Sequence, residues 1–342
     1  MKVVVPTAGK GTRLYPHTHT KPKPIVRIAG KPILGHILDR LPRDRVDEVV
    51  LVVGGPMQEQ VVRYVEDAYG AAFEVSFVEQ AEPEGLGHSV LQARPLVDGD
   101  PLLIALGDML FERGYGRFLD AHDRLADGSG PRSVDGSIGV KRVDDPRRYG
   151  VVETGPDGRV DRLVEKPDDP PSDLAISGVY VFERSTPLFE SLAYLVENDV
   201  RGAGDEYQLT DALQGTIDRG VDLGTFEVDD WYDCGRPETL LEANRVTLDR
   251  LDPDDGVGGR DAVVVPPVDI GEDVAVEKSV LGPYVSVDDG ATIADSIVRD
   301  SIVGRNASVE GANLRRSIVG DAATVDGDPD RLNLGDNSVV DL

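Results

Sequence analysis

Cysteine occurs once in the 342 residues, at Cys234, so the chain can form no intramolecular disulfide and no cysteine-cluster metal site. Apolar runs of membrane-spanning length are missing, and the chain starts on an apolar strand and a glycine turn where a signal peptide would carry a longer apolar segment. No membrane partner is expected, and a cytoplasmic location is the default. Lysine is scarce: only Lys2, Lys10, Lys21, Lys23, Lys31, Lys141, Lys166 and Lys278 are present, against a net charge of −27. Without a basic face to neutralise phosphates, nucleic acid is a disfavoured partner. The acidity fits either a cationic partner or, the preferred reading, a halophilic protein in a salt-rich cytoplasm. There the Debye length shrinks to about 3 Å and self-repulsion is screened. Histidine is confined to the first part of the chain, with all five before residue 123.

What the chain does have is a distinctive opening. Val3-Val4-Val5 is a continuous apolar run, as in a strand buried on both faces, and it stops at Pro6. Thr7-Ala8-Gly9-Lys10-Gly11-Thr12-Arg13-Leu14 follows, with Lys21-Pro22-Lys23-Pro24 just behind. Gly9 and Gly11 permit a tight turn whose backbone N–H groups can line a polyphosphate, because no Cβ keeps the anion away. Arg13 supplies a planar cationic fork and Lys23 a mobile point charge. An ATPase-type loop would read Gly-Lys-Ser or Gly-Lys-Thr, and Gly-Lys-Gly-Thr-Arg does not.

The whole string resembles the signature of the sugar-1-phosphate nucleotidylyltransferases. Ala8 ahead of Gly9-Lys10-Gly11-Thr12-Arg13 sides with the branch that uses UTP and glucose 1-phosphate; the thymidylyltransferase branch usually has a glycine there. The resemblance implies nucleotide contacts from Ala8, Gly9, Gly11, Thr12 and Arg13.

Further along, residues 31–41 carry helical apolar spacing, 49–53 form a second buried strand, Gln58–Tyr69 an amphipathic helix and 73–78 a third strand. This alternation predicts an α/β fold, a Rossmann-like, mostly parallel mixed sheet with helices on both faces and ligands at the carboxyl ends of its strands. The third strand runs into Gln80-Ala81-Glu82-Pro83-Glu84-Gly85-Leu86-Gly87-His88. An amide side chain carries both donor and acceptor, so Gln80 can read a pyrimidine edge, and Gly85 lets backbone lie against a base. By residue type alone this is equally a polar turn opening a helix; the resemblance makes it the base-reading loop. His88 is either a metal or catalytic group or a residue that caps or packs the helix. Leu102-Leu103-Ile104-Ala105-Leu106-Gly107-Asp108 ends a buried strand on a carboxylate, which needs a partner, a cation or a helix to cap.

From about residue 130 shorter strands are expected at 138–143, 150–153, 160–165 and 176–182. Tyr149-Gly150, Glu165-Lys166-Pro167 and Gly178-Val179-Tyr180 resemble the family's sugar-binding elements. That implies sugar-phosphate contacts from Gly150, Glu165, Lys166 and Tyr180. Glu165 could accept from sugar hydroxyls, and Lys166 could neutralise the sugar's phosphate. Gly204-Asp205-Glu206 and Tyr232-Asp233-Cys234-Gly235 again side with the uridylyltransferase branch. The resemblance implies that Asp108 and Asp233 are the Mg²⁺ ligands, and Cys234 reads as a small packing residue.

After a helix over 237–250 comes a polar, glycine-rich linker at 251–260, dividing a catalytic domain (1–250) from a C-terminal domain (261–342). The latter repeats itself: Ser279-Val280-Leu281-Gly282, Ser301-Ile302-Val303-Gly304 and Ser317-Ile318-Val319-Gly320. Ile270, Val276, Val287 and Ile293 fall on a six-residue period with one slip. The pattern resembles the hexapeptide-repeat left-handed parallel β-helix, whose coils of about 18 residues stack aliphatics inward. Acetyltransferases share that helix, but a structural cap that mediates homo-oligomerisation is preferred, since no histidine follows residue 123.

The expected activity is therefore formation of UDP-glucose and pyrophosphate from UTP and glucose 1-phosphate. Arg13, Lys23 and Lys166 are its catalytic cations and Mg²⁺ its cofactor. The alternatives are the same reaction with dTTP, or a non-catalytic homologue acting as a sugar-nucleotide sensor.

Overall fold

The computed structural model describes residues 1–127, 133–251 and 262–327. Nearly all of the expected 251–260 linker and the last part of the expected β-helix domain lie outside these residues. The chain divides into two compact units, Met1–Val26 with Lys31–Leu240, and Arg27–Gly30 with the chain from Leu241 on. No described helix is long and apolar enough to cross a membrane.

The first unit is built on a nine-stranded sheet: β1 (Lys2–Pro6), β2 (Glu48–Val53), β3 (Glu74–Glu79), β4 (Leu102–Ala105), β5 (Gly136–Arg142), β6 (Gly150–Thr154), β7 (Val160–Glu165), β8 (Leu174–Phe182) and β9 (Leu223–Glu227). The order β7-β6-β8-β4-β1-β2-β3 runs across it, and β8 also pairs with β5, which pairs with β9. β1 lies parallel to β2 and β4, and β2 to β3, so the expected parallel half is present. β8 runs antiparallel to β4, β5 and β6, which makes the sheet mixed. The unbroken Val/Leu/Ile runs of β1, β2 and β4 are buried throughout their centres, as helices on both faces require. β3 occupies the sheet edge and is only half-buried.

Local differences from the sequence expectation are small. The helix expected over 31–41 is shorter, Ile33–Asp39, because the residues after Val26 turn through Ala29 and Gly30 at positive φ before the helix can start. The helices Gly116–Ala126 and Thr186–Glu197 were not anticipated.

The second unit contains three stacked parallel sheets of four strands each, typical of a left-handed β-helix. Val276, Val287 and Ile293 point into its apolar interior as the hexapeptide period requires, joined by Val298, Val303 and Val309. The coils are shorter than 18 residues. Val263 pairs with Val280 and Val280 with Ile297, a step of 17, and Ile297 pairs with Asn313, a step of 16. Corners are tightened by single residues at positive φ, including Asp273, Lys278, Asp295, Asp300 and Asn306. The repeated serines stitch successive coils: Ser279 Oγ accepts from the Ser296 N–H, Ser296 Oγ from Ala312 and Ser301 Oγ from Ser317.

Candidate active site

At the carboxyl end of β1 the backbone is pinned, because both the N–H and the hydroxyl of Thr7 donate to the Val52 carbonyl at 2.8 Å. The loop then runs free at Gly9, where an added Cβ would meet nothing within 4 Å. Gly11 at φ +61 turns it into a short 3₁₀ segment, Thr12–Leu14. A side chain at Gly11 would press on Lys23 and Thr18, so this glycine lets the loop lie against the Lys23 turn. Two glycines not singled out from the sequence do comparable work. A Cβ at Gly54 would sit 2.6 Å from the Gln80 carbonyl and 2.9 Å from Ala8 Cβ, and one at Gly107 would sit 2.6 Å from the Pro6 carbonyl. The only sequence sign of them is their place just after apolar strands.

A cleft of about 450 Å³ opens over these strand ends. It brings together Ala8, Gly9, Gly11, Thr12, Arg13, Lys23, Gln80, Gly85 and Asp108, together with Gly235. Lys23 is 8 % exposed, and its ammonium is ion-paired with Asp108. Burial works to raise the Asp108 carboxyl, but the Lys23 charge, its hydrogen bond and the Arg13 guanidinium outweigh it and hold the group below its ordinary range.

Asp233 reaches the same place by a two-stranded ribbon. Met109–Phe111 pairs antiparallel with Trp231–Asp233, with Asp233 opposite Met109, and the Cys234 N–H donates to the Asp108 carbonyl at 2.9 Å. Burial, and next the charge of Asp108, push the Asp233 carboxyl up, partly countered by Lys23, Arg13 and the Gly235 N–H. That N–H donates to Asp233 Oδ1 at 2.7 Å. A Cβ on Gly235 would lie 2.6 Å from Asp233 Oδ1, 3.1 Å from Lys23 Nζ and 3.4 Å from Arg13 Nη2. Gly235 thus leaves open the point on which two cations and a carboxylate converge. Cys234 is fully buried, and burial pushes its thiol far up, which suits packing and not nucleophilic work.

Two carboxylates whose charges oppose each other form an oxygen-only donor set that a divalent cation would relieve. Among the described residues no group of three or more His, Cys, Asp and Glu side chains could hold a metal. Two protein ligands with the remainder from water and phosphate is the pattern that suits Mg²⁺.

At the other end of the cleft, the Gln80 side chain is 4 % exposed. Its Nε2 lies 3.2 Å from the Gly85 carbonyl and 3.1 Å from His88 Nδ1. Gly85, at φ +114, has no room for a Cβ, which would meet the Tyr207 carbonyl at 2.7 Å. Ser89 Oγ is buried beside them with no hydrogen-bond partner.

The expected sugar residues form a second group. Thr210 Oγ1 donates to Glu165 Oε2 at 2.6 Å, Lys166 Nζ is paired with Glu165 Oε1 at 2.9 Å, and a Cβ at Gly150 would meet Ile176, Thr210 and Glu165. Tyr180 is buried, and burial followed by the Glu165 charge pushes its phenol up. None of these four lines the cleft itself. The link between the groups is Tyr149, which opens the Tyr149-Gly150 string. Its carbonyl accepts from the Lys166 N–H at 3.0 Å, and its ring stands edge-on to Trp231 at 5.0 Å. Burial and the Asp233 charge both raise its phenol, so Tyr149 lies within electrostatic range of the carboxylate end.

Residues 2–250 match the model of the nucleotidyl transferase family. The chain is 35 % identical over 318 residues to a glucose-1-phosphate thymidylyltransferase of Streptomyces antibioticus, covering 92 % of this chain and 85 % of the relative. It is 35 % identical over 250 residues to the UTP–glucose-1-phosphate uridylyltransferase AglF of Haloferax volcanii, covering 72 % of this chain and 96 % of the relative. In structure it resembles a UDP-glucose pyrophosphorylase solved with UDP-glucose, with a TM-score of 0.61 and 25 % identity over 73 % of this chain and 99 % of that one.

Proposed function

The chain belongs to the nucleotidyl transferase family, and within it we propose that this protein makes UDP-glucose and pyrophosphate from UTP and glucose 1-phosphate. One observation carries the reading: Lys23 Nζ, Arg13 Nη2 and Asp233 Oδ1 lie within 3.4 Å of the position a Gly235 side chain would take. Two cations facing a cleft walled by a glycine loop suit a polyphosphate, and Gln80 at the far end suits a base.

In the proposed reaction the sugar phosphate attacks the α-phosphorus in line and pyrophosphate leaves. The attacking phosphate is already an anion, so no strong general base is needed, and catalysis is positioning and charge neutralisation. Arg13 holds the β- and γ-phosphates, Lys23 the α-phosphate as its charge grows, and Lys166 the incoming phosphate. Glu165 accepts from sugar hydroxyls, Gly150 lets the ring approach the backbone and Tyr180 is the remaining sugar-phosphate contact. Ala8, Gly9, Gly11 and Thr12 line the triphosphate with backbone N–H groups. Asp108 and Asp233 would hold Mg²⁺, which neutralises phosphate charge when bound. The second unit is a structural cap through which copies associate, and the acidic surface is an adaptation to salt.

The same reaction with dTTP is the second reading, favoured by the thymidylyltransferase relative whose match extends past residue 250. Incubating the protein with Mg²⁺, UTP and glucose 1-phosphate, and following phosphorus by NMR, should give UDP-glucose and pyrophosphate in equal amounts. No nucleotide sugar from any nucleoside triphosphate would overturn the proposal in favour of a non-catalytic homologue.

A further inference from the structure

We propose that His88 is a positioning residue that decides which end of the Gln80 amide meets the base, so that the site accepts uracil or thymine and refuses cytosine. The inference rests on the reading above, in which Gln80 faces the base.

A primary amide presents a donor at one end and an acceptor at the other, and the two are interchanged by a half-turn. Which end faces the ligand is set by what holds the other. Here Gln80 Nε2 lies between the Gly85 carbonyl, 3.2 Å away, and His88 Nδ1, 3.1 Å away. A carbonyl oxygen can only accept, so the amide nitrogen belongs on that side. Its second hydrogen then goes to His88 Nδ1, which must be the unprotonated ring nitrogen. The ring proton sits on Nε2, on the side of Glu84, whose Oε2 is 3.8 Å away. The remaining neighbour of the ring is Tyr207, with centroids 6.2 Å apart. Glu84 is itself held by Arg201 at 2.8 Å, which also donates to the Tyr207 hydroxyl. The imidazole therefore sits in a braced frame, and a half-turn of the amide would set Oε1 against the Gly85 carbonyl and, with the ring proton on Nε2, against His88 Nδ1 as well.

With both amide hydrogens engaged, Gln80 Oε1 is the end left over. It makes no hydrogen bond among the described residues, in a side chain that is 4 % exposed and lines the cleft. An acceptor that meets the cleft without a protein partner is free to take a donor from the ligand. Uracil and thymine carry a hydrogen on ring N3. Cytosine has a lone pair there, which would confront Oε1 directly.

The test is kcat/KM for UTP, dTTP and CTP with glucose 1-phosphate, read by pyrophosphate release, on the full chain and three variants. The unmodified protein should favour UTP over CTP by about 10²-fold or more, since the wrong base leaves buried groups unpaired. In His88→Leu one of the two anchors is lost, and the UTP/CTP ratio should fall about tenfold, mainly because use of CTP rises. A structural defect alone would lower both. His88→Gln, which can still offer a carbonyl oxygen, should keep the ratio. His88→Lys, which has only donors, should move furthest toward CTP; if His88→Leu does not fold, this contrast decides. An unchanged UTP/CTP ratio in His88→Leu and His88→Lys would overturn the role of His88 and leave the base site standing. Equal use of UTP and CTP by the unmodified protein would overturn the assignment of Gln80 to the base, and that of His88 with it.

Discussion

The ammonium of Lys23 is held against the carboxylate of Asp108, 85 residues further along the chain, at the floor of the cleft. Lys23 is pre-set by the Pro22 and Pro24 that flank it in a short 3₁₀ turn. On the proposed mechanism its charge matters most as the α-phosphorus becomes five-coordinate. Lys23→Ala should therefore lower kcat by at least ~10²-fold with little change in secondary structure by circular dichroism. Near-normal turnover would remove Lys23 from the mechanism.

Asp108 and Asp233 meet only because the Met109–Phe111 and Trp231–Asp233 strands pair. Asp108→Asn and Asp233→Asn should each abolish turnover while leaving the fold intact by circular dichroism. Excess chelator should do the same to the unmodified protein, reversibly on adding Mg²⁺. Full activity in chelator would be incompatible with the assignment.

Gly235→Ala tests the convergence itself. The new methyl would fall 2.6 Å from Asp233 Oδ1 and 3.1 Å from Lys23 Nζ. Displacing either group by a fraction of an ångström should reduce kcat/KM by roughly 10–10²-fold. Wild-type kinetics in this variant would show that the point is not used.

In the second unit, Asn244 is 1 % exposed, and its Oδ1 accepts from the Ala29 N–H at 2.8 Å and from Ser286 Oγ at 2.6 Å. Asn244→Ala leaves two buried donors without a partner and should cost about 1–3 kcal/mol. Calorimetry should show a lowered melting temperature without a matching change in KM. Deleting residues 257–342 removes Ser286 outright and should lower stability further, with a change in oligomer size by light scattering. Acetyl transfer from acetyl-CoA by the full chain, lost on this deletion, would contradict a structural role.

Much of this was legible in the sequence. Val3–Val5 and Leu102–Ala105 show as buried strands because parallel strands covered on both faces carry unbroken apolar runs. The β-helix shows because its interior repeats, although the coil length was overestimated: corners closed by one left-handed residue, such as Asp295 or Asn306, leave no mark in the aliphatic period. What stayed hidden depends on long-range pairing. The meeting of Asp108 with Asp233 is expected from the family resemblance alone, because the ribbon that joins them has strands too short for a periodicity to register. Gly54 and Gly107 matter for what lies across from them, which no local pattern records. His88 was read as a metal or catalytic group or as a helix cap; its actual neighbour, Gln80, lies eight residues away around a turn.

Nucleotide choice tests the central claim most directly. Ala8-Gly9-Lys10-Gly11, Gly85-Leu86-Gly87-His88, Gly204-Asp205-Glu206 and Tyr232-Asp233-Cys234-Gly235 side with UTP, while the β-helix domain and the thymidylyltransferase relative matched over 92 % of this chain side with dTTP. The two substrates differ by a methyl, worth about 1–3 kcal/mol in an apolar pocket, and by a ribose hydroxyl that a polar site can read more sharply. With equimolar UTP and dTTP competing for glucose 1-phosphate in one reaction, the product ratio measured by mass spectrometry gives the ratio of kcat/KM. The account predicts more UDP-glucose than dTDP-glucose, with both detectable. An excess of dTDP-glucose of about tenfold or more would contradict it and make the protein a thymidylyltransferase.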